Sequence, residues 1–431
     1  MDDGSIRWLK DRAYRIFTLG ASNRVVGVFY SIMVAGILLS IAAFFITKGN
    51  SLGDMLFYDR HDYFMDYFNS IYYSLHDPYF EHDVIYPALT TAGYYAIGAV
   101  LEVVQVPFTD AITIRESPLG MLSYLLITAV ALFVLYKALN KNKEESRKET
   151  AIFFILSLLS FPMLFSIDRG NSVLIAVIFS LLFLVGYNSD NKKIRYLSYV
   201  FLGIAAGIKI FPFLFGLLVV RRSIESRKSE DLKELMICAL IGAAVFLSPF
   251  ALFEGSFMAI LDNAFGYSRG LYPVGLGDIS SLIQTTAIII GYENYSTLAG
   301  AGTAVSLIFM LSVAIYVLFY KNAEKWELIC LLSAAQILFS GVAYPYVLLY
   351  MLIPAWYFIS SRPVMNLKNA IYAILLAAVL MPFPGFIGWE HMSYGRDMIV
   401  WAVVIIILVS AAVRLYDQNY TDDKMVPDQR N

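Results

Sequence analysis

The chain has 431 residues, 59% hydrophobic and only 15% charged, with a formal net charge of −2, a mean hydropathy of +0.65 and a pI of about 6.1. Soluble domains carry roughly 25% charged residues, so this composition excludes an ordinary soluble enzyme, and the near-neutral charge gives nucleic acid no footing as a partner. Apolar stretches of about 20 residues recur along the whole length, each able to cross roughly 30 Å of hydrocarbon, where a transmembrane β-barrel would show short alternating segments instead. The expected fold class is an all-α polytopic membrane protein embedded in the lipid bilayer.

The N-terminal segment 1–24 is basic (Arg7, Lys10, Arg12, Arg15, Arg24), and Val25 opens an apolar run with no small-residue cleavage pattern. That run reads as a signal anchor with its basic end in the cytoplasm. Apolar helices are expected at about 25–47, 84–105, 118–139, 151–167, 172–187, 197–220, 235–254, 297–320, 326–341, 342–359, 369–387 and 397–416. About twelve such segments place both termini in the cytoplasm. The loops after 220 (Arg221, Arg222, Arg227, Lys228, Lys233), after 320 (Lys321, Lys325) and after 359 (Arg362, Lys368) are then cytoplasmic and basic, as the positive-inside rule asks.

Segments 137–148 and 192–195 are also basic, yet simple alternation puts both outside. Either 84–105 and 197–220 are broken, re-entrant pairs of half-helices, with Gly207-Ile208-Lys209-Ile210-Phe211-Pro212 as a natural break, or the charge bias is overridden and both are full spans. Full spans are the reading adopted, with the parity left open. Two long outer segments remain either way, 48–83 and about 255–296, with shorter outer features at Tyr344-Pro345-Tyr346 and 382–396. The chain divides into a cytoplasmic N-terminus (1–24), a first membrane module (25–254) that includes loop 48–83, a second membrane module (255–416) that includes loop 255–296, and a polar tail (417–431) expected to be disordered. Cys238 and Cys330 both sit in apolar runs, so no disulfide framework is expected.

The first loop holds most of the chemistry. It carries three of the four histidines (His61, His76, His82), the acids Asp59, Asp62, Asp66, Asp77, Glu81 and Asp83, and a dense set of rings. Asp62 and Asp66 are spaced i, i+4 and share a face if the stretch is helical. A carboxylate partly desolvated by Tyr63, Phe64, Tyr67 and Phe68 can act as a general base, and aromatic faces stack on sugar rings. The plainer reading is an interfacial amphipathic helix whose acids face water. Asp59, Asp77, Glu81 and Asp83 read as solvated or capping residues. The histidine spacings are not those of a zinc site, so no metal and no cofactor is expected.

Lys209 lies in an otherwise apolar run, and a cation there is costly enough to imply a function, with an anion such as a lipid phosphate as partner. Asp168-Arg169-Gly170-Asn171 interrupts another apolar stretch. It reads either as a tight helix–helix turn or as polar groups lining a cavity. Arg269, His391 and Arg396 are weaker outer-side candidates.

Asp62 through Met65-Asp66-Tyr67-Phe68-Asn69-Ser70, then Asp77-Pro78-Tyr79, then Tyr86-Pro87-Ala88-Leu89 resembles the first outer loop of GT-C-type glycosyltransferases that use polyprenol-phosphate sugars. In particular it resembles glycosyltransferase family 87, a family of mannosyltransferases. Ala88 departs from the family's second proline. The Arg169-Gly170-Asn171 turn and the Gly207–Pro212 run resemble two further family landmarks in the same order, so the motifs cover about residues 55–220.

The resemblance implies a GT-C-like bundle with a catalytic first module and a large first extracytoplasmic loop, in the plasma membrane. It implies a polyprenyl-phosphate-linked hexose, usually mannose, as donor and an extracytoplasmic glycan or glycolipid as acceptor, with inversion of configuration. Asp62 or Asp66 would be the base; the family spacing to Tyr79 favours Asp62 without deciding the choice. Lys209, Arg169 and Arg269 would hold the donor phosphate. Tyr63, Tyr67, Asn69, Tyr79, Tyr86, Asn171, Tyr344 and His391 would surround the substrates. A lipid or saccharide transporter would use similar features but should show inverted repeats, and none is visible. A polysaccharide polymerase or ligase would place key basic residues in later outer loops.

Overall fold

The computed structural model describes residues 18–19, 21, 23–56, 62–104, 108–141, 147–253, 256–270, 272–339, 343–383 and 389–424, with side chains described at all but 54, 55, 265, 267–270, 389–392 and 416–424 of these. Among the described residues there is no strand. The first half comprises α1 (Arg24–Ile46), α2 (Ser51–Met55), α3 (Met65–Leu75), α4 (Ala88–Val104), α5 (Ala111–Glu116), α6 (Pro118–Leu139), α7 (Arg147–Leu158), α8 (Phe161–Arg169), α9 (Val173–Gly186), α10 (Lys192–Ile208), α11 (Leu217–Ser226) and α12 (Ser229–Leu247). The second comprises α13 (Ser256–Gly270), α14 (Ile279–Ile289), α15 (Ala299–Phe319), α16 (Lys325–Leu338), α17 (Leu352–Ser360), α18 (Leu367–Leu380) and α19 (Trp389–Lys424). Two-turn 3₁₀ segments at Phe211–Gly216 and Pro345–Met351 adjoin the site described below.

Local chemistry sets the helix starts. Asn23 caps α1 by accepting from the Val25 and Val26 amides. Ser117 accepts from Gly120 N ahead of α6, with Pro118 in the first turn, where its missing N–H costs nothing. Asp110 and Thr113 form a reciprocal capping box on α5.

Among the described residues, five helices are long and apolar enough to cross a membrane: Arg24–Ile46, Pro118–Leu139, Ser229–Leu252, Tyr295–Phe319 and Ser393–Leu415. The pair α7 and α8, bent by 56°, makes a sixth if taken as one span. These helices keep large apolar side chains on the outside. Leu232, Met236 and Leu240 form one such stripe, and Ile405, Val409 and Val413 another, which is the surface a lipid solvent requires. The protein is an all-α polytopic membrane protein.

The expectation of about twelve spans is corrected. The apolar runs near 172–187, 326–341, 342–359 and 369–387 form α9, α16, α17 and α18, which are 14, 14, 9 and 14 residues long. At about 1.5 Å per residue, none crosses the hydrocarbon alone. They are apolar because protein surrounds them. From Trp326 to Leu338 every residue of α16 is buried, and α16 centres a core shared with α9, α17 and α18. A second, smaller core joins α3, α4, α5 and α6 through Phe68, Ile71, Tyr94, Ile114 and Tyr124.

Three further expectations change. The full-span reading of 197–220 gives way to a break: α10 ends at Ile208, Lys209 is extended (φ −139°, ψ 129°), and a 3₁₀ turn follows from Phe211. Pro212 has no amide to continue the helical ladder. The hydroxyl of Thr90 on α4 donates to the carbonyls of Gly207 and Ile208, at 3.2 and 3.1 Å, serving the carbonyls that the break releases. The run at 84–105 becomes helical only at Ala88. At the other end of the chain, the segment from Asp417, expected to be disordered, continues α19 to Lys424.

Candidate active site

The site is built where the first loop docks on the turn between α8 and α9. Gly170 ends α8 with φ +68°, and a Cβ there would lie 2.9 Å from both the Phe64 carbonyl oxygen and the Tyr67 Cβ. Glycine is required on both counts. Against it, Phe64 is itself left-handed (φ 63°), and its amide donates to the Asp168 carbonyl at 2.8 Å. The Tyr124 hydroxyl donates to the Ile167 carbonyl at 2.5 Å and ties α6 to the same turn.

This docking brings two acids to one guanidinium. Arg169 Nη2 lies 2.7 Å from Asp66 Oδ1, and Nη1 lies 3.4 Å from Asp62 Oδ2. The other Asp66 oxygen accepts from Asn171 Nδ2 at 2.7 Å. Asn171 is oriented in turn by the Val173 amide, which donates to its Oδ1 at 3.0 Å, and by the Tyr86 hydroxyl 3.4 Å from its Nδ2. Both oxygens of Asp66 are therefore engaged, and its side chain is 15% exposed. Asp62 has the single longer contact and is 40% exposed. The expected shared helical face is corrected. Asp62 lies in the turn before α3, and Arg169, not helix periodicity, holds the two carboxylates together.

Lys209 reaches the site from the break after α10. Its ammonium lies 4.2 Å from the Tyr86 ring centroid and 5.5 Å from that of Tyr346. Among the described residues no carboxylate pairs with it. A half-buried cation resting on two ring faces, in the field of Asp66 but without an ion pair among the described residues, is well placed to take an anion.

These groups line one cavity of about 730 Å³. Asp62, Asp66, Asn69, Ser70, Tyr73, His82, Asp83 and Tyr86 come from the first loop, and Phe165, Arg169, Lys209 and Phe211 from the middle of the chain. Gln336, Phe339, Tyr344, Tyr346 and Tyr350 come from the second half of the chain, so both halves contribute to it. Behind it lies a smaller, almost wholly apolar cavity of about 300 Å³ among α4, α6, α9 and α10, with Asn171 and Tyr67 on its wall.

The other expected site residues divide. Asn69, Tyr86 and Tyr344 line the large cavity. Tyr67 instead faces the apolar one, bonded to Ser123 at 3.0 Å, and burial pushes its hydroxyl up to about 12. Tyr79 lines neither. Its hydroxyl donates to the Tyr86 carbonyl at 3.1 Å and meets Thr91 at 2.8 Å, and burial pushes it up to about 12, with Thr91 opposing. Tyr63 packs beside Phe64. Arg396 does not line the cavity and is buried against the Phe161 ring at 3.8 Å. The side chains of Arg269 and His391, and all of Asp59 and His61, lie outside the described residues. His76 and His82 stack on Tyr72 and Tyr73.

Sequence reasoning missed Ser70 and Tyr73, although Asp66, Asn69, Ser70 and Tyr73 form an i, i+3, i+4, i+7 stripe. It also missed Gln336, a lone amide in an apolar run that the logic applied to Lys209 would have flagged.

A cavity in an all-α membrane bundle that gathers two carboxylates on one arginine and, among the described residues, a lysine with no carboxylate partner is the arrangement expected of a membrane enzyme. A family model, glycosyltransferase family 87, matches residues 103–382, more than half of the chain. The chain belongs to this family and is a membrane glycosyltransferase. The match contains Arg169, Asn171, Lys209, Gln336 and Tyr346, while the first loop with Asp62 and Asp66 precedes it. No curated protein and no solved structure matches the chain.

Proposed function

We propose that the protein transfers a hexose, mannose above all, from a polyprenyl-phosphate donor to a hydroxyl of a glycan or glycolipid, at the extracytoplasmic face of the plasma membrane. The observation that carries this reading is one cavity lined by both a half-exposed carboxylate, Asp62, and a lysine with no ion pair among the described residues, Lys209. Family membership favours sugar transfer over transport or polymer ligation.

In this reading Asp62 removes the acceptor hydroxyl proton as the oxygen attacks the anomeric carbon. The bond from that carbon to the phosphate oxygen breaks on the opposite side, in a single displacement that inverts configuration. The lipid phosphate leaves with the bonding pair, and Lys209 stabilises its developing charge. Asp66 is tied to Arg169 and Asn171 and positions the loop. Arg169 accordingly acts on the carboxylates and not on the phosphate.

The test is transfer by purified protein from radiolabelled polyprenyl-phosphate-mannose to membrane glycolipid extract. Product from wild type, and a rate at least about 10²-fold lower from Asp62→Asn, is expected. Transfer from a nucleotide sugar alone would overturn the donor assignment.

A further inference from the structure

The large cavity continues past the carboxylates along one face of α3, where Asp66, Asn69, Ser70 and Tyr73 all line it. Their spacing makes a single helical stripe. At its far end the Tyr73 ring stacks on the His82 imidazole, with centroids 4.4 Å apart and planes at 19°. His82 and Asp83 line the same cavity. Tyr72 backs the pair, 5.9 Å from His82 and 4.4 Å from His76.

The segment that carries His82 is firmly held. Asp77 (φ 39°) and Asp83 (φ 49°) are both left-handed and bound the turn. The Asn263 amide on α13 donates to the Tyr79 carbonyl at 2.9 Å and the Val84 carbonyl at 3.3 Å. The result is a preformed pair of rings beside hydrogen-bonding side chains (Asn69, Ser70, Asp83), the mixture of apolar walls and sparse polar groups that small-molecule subsites use. The transfer chemistry above has no use for either ring.

We infer that Tyr73 and His82 form a subsite for the sugar residue next to the one that is glycosylated, so that the acceptor is an oligosaccharide chain of at least two sugars. The inference rests on the glycosyl-transfer reading and deepens it. Tyr73 lies seven residues of α3, about 10 Å along the helix axis, beyond Asp66, which shares Arg169 with the base Asp62. That is too far for the ring whose hydroxyl meets the base, and it suits the ring beyond. The free face of one ring of the Tyr73–His82 stack, backed by the other ring, would pack on the C–H face of that second pyranose while Asn69, Ser70 and Asp83 meet its hydroxyls.

The test uses the full chain in lipid nanodiscs with polyprenyl-phosphate-mannose as donor. Acceptors are methyl glycosides of mannose, glucose and galactose, each beside its matched disaccharide. In the accepted series the disaccharide is expected to show an acceptor KM about tenfold below that of the monosaccharide. Tyr73→Ala is expected to abolish that advantage and Tyr73→Phe to keep it. Thermal unfolding of both variants at the wild-type temperature reports that they fold. Equal KM for the two acceptors in wild type, or an advantage that survives Tyr73→Ala, would overturn the inference and leave the transfer reaction standing. A wild-type enzyme that consumes no lipid-phosphate sugar with any acceptor overturns the functional reading and the subsite with it.

Discussion

Arg169 Nη2 lies 2.7 Å from Asp66 Oδ1, while its other terminal nitrogen reaches Asp62 at 3.4 Å. One guanidinium thus separates two neighbouring acids into different roles. Asp66 is held on both oxygens, by Arg169 and Asn171, and Asp62 keeps lone pairs for a substrate proton. Asp62→Asn is expected to lower kcat by about 10²–10⁴ with no loss of thermal stability. Asp66→Asn removes the charge facing Arg169 and sets an NH2 against one of the two donors, Arg169 or Asn171, and is expected to destabilise by about 1–3 kcal/mol. Thermal unfolding in detergent, measured beside turnover for both variants, separates the two roles. Equal effects of the two substitutions on both quantities would contradict the division.

Lys209 is expected to show the opposite balance of stability and activity. Its ammonium rests on Tyr86 and Tyr346, so removing it strands no partner carboxylate. Lys209→Met should keep or raise Tm while lowering kcat by about 10²–10³, the usual cost of removing one charge-stabilising group. A variant with normal turnover and normal donor KM would remove the lysine from the reaction.

At Gly170, strain and packing act together. A side chain there meets left-handed backbone and two atoms at 2.9 Å, one of them the Phe64 carbonyl oxygen. Gly170→Ala is expected to cost about 1–3 kcal/mol and to lower turnover, because the Phe64 turn carries Asp62. A Tm and kcat equal to wild type would show that this turn does not set the position of the base.

Thr90 gives a fourth test. Its hydroxyl serves the carbonyls of Gly207 and Ile208 at the break before Lys209. Thr90→Val preserves shape, removes both contacts, and is expected to destabilise by about 1–2 kcal/mol. Donor KM should rise as Lys209 loses its setting, and measurement of donor KM in this variant reports it.

Much of the site was legible in the sequence because single residues violated their surroundings. Lys209 stood out as a charge in an apolar run, and Asp62 and Asp66 as acids among rings. Their connection was not legible. Arg169 is 103 residues from Asp66, and nothing local announces that Phe64 turns left-handed and takes Asp62 off the helix. The span count failed for a different reason. Hydropathy alone does not distinguish a helix buried in protein from one facing lipid, and α9, most of whose residues are buried, is as apolar as a true span. The break at Lys209 was visible in Pro212, while the Thr90 contacts that make it tolerable come from a distant helix.

The most direct test is the stereochemical outcome of transfer from polyprenyl-phosphate-mannose by wild type, Asp62→Asn and Lys209→Met, with the product anomer read by NMR. Wild type should give a mannoside inverted relative to the donor, and Asp62→Asn and Lys209→Met the same anomer at much reduced rates. Retention of configuration in the wild-type product, or an Asp62→Asn enzyme at full rate, would contradict a single displacement with Asp62 as its base.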